Sequence, residues 1–237
     1  MQKMLLLSLL PFLNFPTLAQ TPPDVAEILR KVGETYKAAS DYQVTADLTV
    51  KSKDGTTSKG KLLIAFRSPN RYRLEGTLPG LGTGNGTGEG VVVHDGTAVW
   101  MYMPSSNQYV TFPAAALTAK DAGDLADLRP EAMDNFMLSR YRGAANLASS
   151  AKYLRQESVD FGGVQVPCYV VAITLIPGAT NTWWIDTREY RILREDTHDS
   201  TADSSAAFRS IQIGGAITDS LFRFVPPPGA KKMDVPK

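Results

Sequence analysis

Around residue 40 the chain switches from helical to two-residue periodicity, and that switch limits what it can build. Tyr42, Val44, Ala46, Leu48 and Val50 alternate with Gln43, Thr45, Asp47, Thr49 and Lys51. Successive side chains of a strand point to opposite faces, so this stretch reads as a strand with one apolar and one wet face. Asp54-Gly55 supplies a hairpin turn, and Lys59 to Arg67 returns with Gly60, Leu62, Ile64 and Phe66 on one side. Pro69-Asn70 turns the chain again, after which Tyr72 and Leu74 point one way and Arg71, Arg73 and Glu75 the other. Connections this short cannot carry a parallel crossover, so the strands must pair antiparallel.

The remainder fits the same plan. Before the first strand, Val25, Ile28, Leu29, Val32 and Tyr36 recur at helical spacing behind Thr21, Pro22 and Asp24, which suit a helix start. Residues 91–94 and 97–103 flank Asp95-Gly96 as a further hairpin, and residues 108–112 form another strand. Residues 114–154 are Ala-rich, with Pro130 at a helix start and Met133, Phe136, Met137 and Tyr141 at helical spacing, which predicts two or three helices. Strands resume at Arg155 and run to Phe224, punctuated by Gly162-Gly163, Pro177-Gly178 and Thr187-Arg188-Glu189. The expected fold is α+β: a strongly curved antiparallel sheet, an incomplete β-barrel, with N-terminal and central helices over its concave face. With no repeat and no linker, residues 20–237 are expected to form one domain.

The N-terminus sets the compartment. Lys3, an apolar run from Met4 to Leu13 and the small-residue site Thr17-Leu18-Ala19 predict a secretory signal peptide cleaved after Ala19. No cysteine adjoins the cleavage point, and no later stretch is long and apolar enough to span a membrane as a helix. A soluble, periplasmic protein is expected.

Composition removes several function classes. With 25 Lys+Arg against 24 Asp+Glu, the net charge of +1 leaves no footprint for nucleic acid. A single cysteine, Cys168, excludes an intramolecular disulfide and a Cys-rich zinc site. His94 sits beside the Asp95-Gly96 turn and His198 lies in a polar stretch with Asp196, Asp199 and Ser200, so neither has the setting of a catalytic base. Asp121, Asp124 and Asp127 lack the glycine and terminal Glu of a calcium loop, and Glu195, Asp196, Asp199 and Asp203 read as a solvated acidic cluster. Glycine at every second place of residues 80–90 does not match a phosphate-binding loop and predicts a mobile surface loop. No enzyme, metal or cofactor is expected. What remains is an apolar concave face that the helices either fill as core or leave partly open for a lipid tail.

Three segments carry a resemblance. Phe66-Arg-Ser-Pro-Asn-Arg-Tyr-Arg-Leu74 resembles the strand–turn–strand of the outer-membrane lipoprotein carrier (LolA-like) family. Val91-Val-Val-His-Asp-Gly-Thr-Ala-Val-Trp-Met-Tyr-Met-Pro104 is similar to that family's apolar strand, Asp-Gly turn and Trp-x-Tyr strand, and residues 221–230 to its closing segment. The stretch from Thr182 to Arg194 looks more like the family's divergent relatives. The resemblance implies a periplasmic carrier that shelters acyl chains of lipoproteins, or another lipid, for transfer towards the outer membrane. A sensor or scaffold in envelope-stress signalling, binding lipoproteins or a partner protein through the same cavity, is the alternative. The implied partners are an acylated lipoprotein or lipid, an inner-membrane donor complex and an outer-membrane acceptor, and the implied state is a monomer. The cavity is expected to use Leu48, Leu62, Ile64, Phe66, Tyr72, Leu74, Trp100, Met133, Phe136, Met137 and Trp183. Arg67 or Arg71 is expected to latch the lid.

Overall fold

The structure, a computed structural model, describes residues 23–37, 39–79, 87–118, 128–134, 138–175, 177–215 and 217–234. Its frame is one twelve-stranded sheet. A first meander comprises β1 (Asp41–Ser52), β2 (Thr57–Arg67), β3 (Arg71–Pro79), β4 (Thr87–His94), β5 (Ala98–Met103) and β6 (Gln108–Pro113). A second comprises β7 (Ala151–Phe161), β8 (Val164–Ile173), β9 (Thr180–Asp186), β10 (Ile192–His198) and β11 (Ala202–Ile213). They join where β11 pairs antiparallel with β1 from Tyr42↔Ile213 to Ser52↔Ala202. The tail adds β12 (Lys231–Lys232) parallel to β6. The order is β12-β6-β5-β4-β3-β2-β1-β11-β10-β9-β8-β7, so the outermost strands are unpaired with each other and the barrel stays open. Register shifts at Thr45/Ala46, Tyr153/Arg155 and Ile192/Arg194 add local twist, which curls so wide a sheet.

Helix α1 (Val25–Lys37) starts where Asp24 accepts the Ala26 amide at 2.9 Å, as an N-cap does. Thr21 and Pro22, like the expected signal peptide, lie outside the described residues. Ile28, Leu29, Val32 and Tyr36 are buried in one core cluster with Val171, Ile173, Trp183, Ile185 and Ile192 of the second meander. Each such side chain contributes on the order of 1.5–3 kcal/mol on burial. The Tyr36 hydroxyl accepts the Ile192 amide at 3.1 Å, and Thr35 Oγ1 donates to the Glu189 carbonyl at 3.1 Å. The central segment is helical in several described pieces. They comprise a 3-10 turn at Ala114–Thr118, α2 (Pro130–Asp134), α3 (Arg140–Arg142) and a second 3-10 turn at Ala144–Ser150. The second meander ends earlier than expected, at Ile213. Residues 217–224 run instead along the opposite face of the sheet, where Ile217 and Phe222 are buried with Ala65.

Register explains the concave face of the first meander. One row reads Tyr42, Phe66, Tyr72, His94, Val99 and Phe112 across β1 to β6, and the next reads Val44, Ile64, Leu74, Val92, Met101 and Val110. A third row begins Ala46, Leu62 and Gly76. Gly76 has φ +133°, and a Cβ there would lie 1.9 Å from the Lys61 carbonyl oxygen, so that place admits only glycine.

Candidate functional site

All six side chains of the first row are buried, and all but Tyr42, which also borders the cavity, are finished core. The second and third rows are not filled, and over them lies a cavity of about 500 Å³. Five successive inward positions of β1 form its long wall: Tyr42, Val44, Ala46, Leu48 and Val50. At roughly 3.4 Å per residue that wall runs for about 27 Å. Leu62, Ile64, Leu74, Val92 and Met101 line one side, Ala206 and Phe208 the other, and Leu128 and Met133 reach it from the central segment. Among the described lining residues only Tyr42, Arg140, Tyr141, Glu195 and Ser204 carry polar side-chain atoms.

Three of these form one cluster where the filled and unfilled parts of the concave face meet. Glu195 is only 6% exposed and accepts three hydrogen bonds. Arg140 Nη2 donates to Oε2 at 2.7 Å, the Tyr141 hydroxyl donates to Oε2 at 2.9 Å, and Trp183 Nε1 donates to Oε1 at 3.2 Å. Arg140, its side chain 29% exposed, also donates to the Tyr141 hydroxyl oxygen at 3.0 Å. A buried charge is tolerable only when paired and hydrogen-bonded, and Glu195 meets that condition. Burial pushes the Tyr141 and Tyr42 hydroxyls well above their usual pKa, so both stay neutral donors at ordinary pH.

The sequence-derived residues divide by place. Leu48, Leu62, Ile64, Leu74 and Met133 line the cavity. Phe66 and Tyr72 share their face but belong to the filled row, so they are core and not lining. Trp183 is fully buried behind Glu195 and meets the Tyr141 ring edge-on at 5.4 Å. Trp100 corrects the expectation outright. Its neighbour Met101 faces the cavity, so Trp100 points to the opposite face, stacked on Phe224 at 5.6 Å with Nε1 bonded to Asp95 at 3.0 Å. Burial opposes ionisation of Asp95, but hydrogen bonds from Trp100, Ala98 and Thr97 outweigh it and draw the carboxyl down to about 2. Phe136, Met137, Asp121, Asp124, Asp127 and most of the Gly-rich loop lie outside the described residues; β4 already begins at Thr87.

The two latch candidates are also placed elsewhere. Arg67 bonds Asp41, Asp219 and the Ile217 carbonyl, and Arg71 meets Asp219 at 3.5 Å. Both therefore clasp the C-terminal segment to the outer face and not a lid over the cavity. The central segment is held by other groups: Tyr72 donates to the Leu128 carbonyl at 2.6 Å, and Asp134 accepts from Arg142 at 2.9 and 3.0 Å and from Ser139 at 2.9 Å.

The histidines have structural settings. His94 Nδ1 accepts the Gly96 amide at 3.1 Å, and burial lowers its pKa, while His198 pairs with Asp203 at the surface. Burial pushes the Cys168 thiol up to about 12. Among the described residues no His, Cys, Asp or Glu cluster could hold a metal ion, and no helix is long and apolar enough to cross a membrane.

Several solved structures are similar to this chain. LprF from Mycobacterium bovis matches at 11% identity over 88% of this chain and 99% of its own, with a TM-score of 0.48. The MucA/MucB complex of Pseudomonas aeruginosa matches at 16% identity over 86% of this chain and 62% of that one, with a TM-score of 0.46. A LolA superfamily protein from Nitrosomonas europaea matches at 14% identity over 85% and 98%, with a TM-score of 0.34. No curated protein matches in sequence. A model of the family described as predicted periplasmic proteins, DUF2092, matches residues 25–236, nearly the whole described chain, and the chain belongs to that family.

Proposed function

We propose that this protein is a periplasmic carrier that shelters acyl chains, of a lipoprotein or of another lipid, in the cavity along β1. One observation carries the reading: a preformed space of about 500 Å³ whose long wall is built from consecutive inward side chains of one strand. An elongated apolar trough suits a flexible hydrocarbon chain better than a sugar or nucleotide, which would need many convergent polar groups. Each methylene taken from water into such a place gains about 0.8 kcal/mol. The sequence motifs shared with the lipoprotein carrier family point the same way, as does the N-terminal export signal, whose cleavage after Ala19 would leave residues 20–237 as one periplasmic domain. The role is binding and not catalysis, since His94, His198 and Cys168 all have structural settings.

Leu74→Arg tests the site. Leu74 lines the cavity and is partly exposed to it, so a guanidinium there can reach solvent while obstructing the trough. Binding of a fluorescent fatty acid should weaken at least about tenfold, with the far-UV circular dichroism unchanged. A folded variant that binds as the parent does would remove the cavity from the mechanism.

A further inference from the structure

On the acyl-chain reading of the same cavity, we propose that its mouth lies where β1 turns into β2 and β10 into β11, and that the chain enters methyl end first. The polar head then stays beside Ser204 and the Glu195 cluster, and Ala46, midway along the trough, gauges the length of chain that fits.

Burial locates the mouth. Along the inner row of β1, Tyr42, Val44 and Ala46 are buried, whereas Leu48 and Val50 are partly exposed. The flanking strands change in the same direction. On β2 the row runs from buried Phe66 to partly exposed Ile64, Leu62 and Ser58, and on β11 from buried Phe208 to partly exposed Ala206 and Ser204. Pairing makes these one gradient, because Leu48 stands opposite Ala206, and Val50 opposite both Ser58 and Ser204. All three strands open towards the turns at residues 53–56 and 199–201. The other end is closed by the buried rings of Tyr42, Phe66 and Tyr72, with Tyr36 between Tyr42 and Tyr141 at 6.1 and 5.0 Å.

Polarity follows the same axis. At the level of Val44 the first meander offers Ile64, Leu74, Val92 and Met101, and at the level of Ala46 stand Leu62 and Phe208. The level of Leu48 runs through Ala206 to Glu195, which brings Arg140 and the Tyr141 hydroxyl with it. The level of Val50 carries Ser58, Ser204, Thr197 and Asn181, with Thr197 Oγ1 donating to Asn181 Oδ1 at 2.8 Å. Among the described lining residues, the polar groups thus gather in the mouth half, and only Tyr42 belongs to the closed end. A methylene gains by leaving water, while a polar head loses unless it finds hydrogen-bond partners. The chain therefore takes the closed apolar end and the head the mouth, where a hydroxyl and a guanidinium serve a neutral or an anionic head alike.

Octadecanoic acids carrying a nitroxide near the carboxyl or near the methyl end test the orientation in the parent protein. With the methionine methyls carbon-13 labelled, the Met101 signal, assigned by its loss in Met101→Leu, should broaden strongly with the methyl-end nitroxide and little with the carboxyl-end one. Ala46→Leu tests the gauge by calorimetry: it should leave dodecanoate within about twofold of the parent and weaken hexadecanoate at least about tenfold, the burial of about two methylenes. A carboxyl-end nitroxide that broadens Met101 as strongly as the methyl-end one would overturn the proposal, and so would an Ala46→Leu variant that weakens both acids alike or neither. The nitroxide comparison needs no variant in the trough, so it decides the orientation even if Ala46→Leu fails to fold. If none of these acids binds the parent, the acyl-chain reading itself fails.

Discussion

At the scale of single residues, the buried His94 makes a definite pH prediction. Its ring lies 5.4 Å from Tyr72, and burial lowers its pKa below the usual histidine value despite the opposing pull of Asp95 and Glu131. A depressed folded pKa means that the unfolded chain takes up the proton first. The stabilising contribution is therefore complete above about pH 6.5, the unfolded value, and is lost as pH falls towards the folded one. Urea midpoints should drop between pH 7.5 and 5.5, and His94→Gln should flatten that slope while lowering stability at both values. An identical slope in the variant would show that other groups set the acid response. The residues that matter most at this scale were the least legible in the sequence. Glu195 reads in the sequence as one of a solvated acidic cluster, and strict alternation from Ile192 would likewise aim Arg194 at the cavity and Glu195 outward. The bulge between Ile192 and Arg194 inverts that phase. Glu195 thus comes to face Trp183, while Arg194 stacks over Trp184 on the other side, 4.4 Å from the ring centroid. No pattern in a single sequence announces a bulge of that kind.

At the scale of elements, the periodicity was a good guide to faces and a poor guide to rows. Leu62, Ile64, Phe66, Tyr72 and Leu74 do share one face, through the pairs Phe66↔Tyr72 and Ile64↔Leu74. Which row the helical segments cover depends on chain distant in sequence, so alternation alone could not separate Phe66 from Ile64. The segment from Leu128 through α2 bears directly on entry. Leu128 and Met133 meet the cavity, yet α2 has no fully buried side chain, and Tyr72 grips the segment through one carbonyl. Few buried contacts make local opening inexpensive. Amides of residues 131–134 should therefore exchange faster than those of β1 and β11 in the ligand-free protein, and should slow when an acyl ligand is added. Protection matching β1 before any ligand is present would identify α2 as fixed core.

At the scale of the whole molecule, the tail has a larger part than its sequence suggests. It leaves the end of β11 and crosses the outer face under Arg67, Arg71 and Arg73. Phe224 then settles among Trp100, Tyr102 and Tyr109, and the tail ends as β12 along β6. An exposed strand edge is a template for pairing with another chain, and here the tail occupies that edge. The opposite edge, β7, is blunted differently, by a bulge at Tyr153/Arg155 and by Lys152, Arg155, Glu157 and Asp160. Truncation after Gly215 should consequently leave a protein that self-associates through β6 and its uncovered aromatic rings, seen as concentration-dependent species in size-exclusion chromatography with light scattering. A truncated protein that stays monomeric at high concentration would show that the tail is dispensable for solubility.

The filled row beside the empty ones has one more consequence. Phe66, Tyr72, His94, Val99 and Phe112 complete their packing from within the chain, so that part of the interior needs no passenger to finish it. On the carrier reading proposed above, what the protein would surrender on delivery is the contents of a compartment and no part of its own architecture.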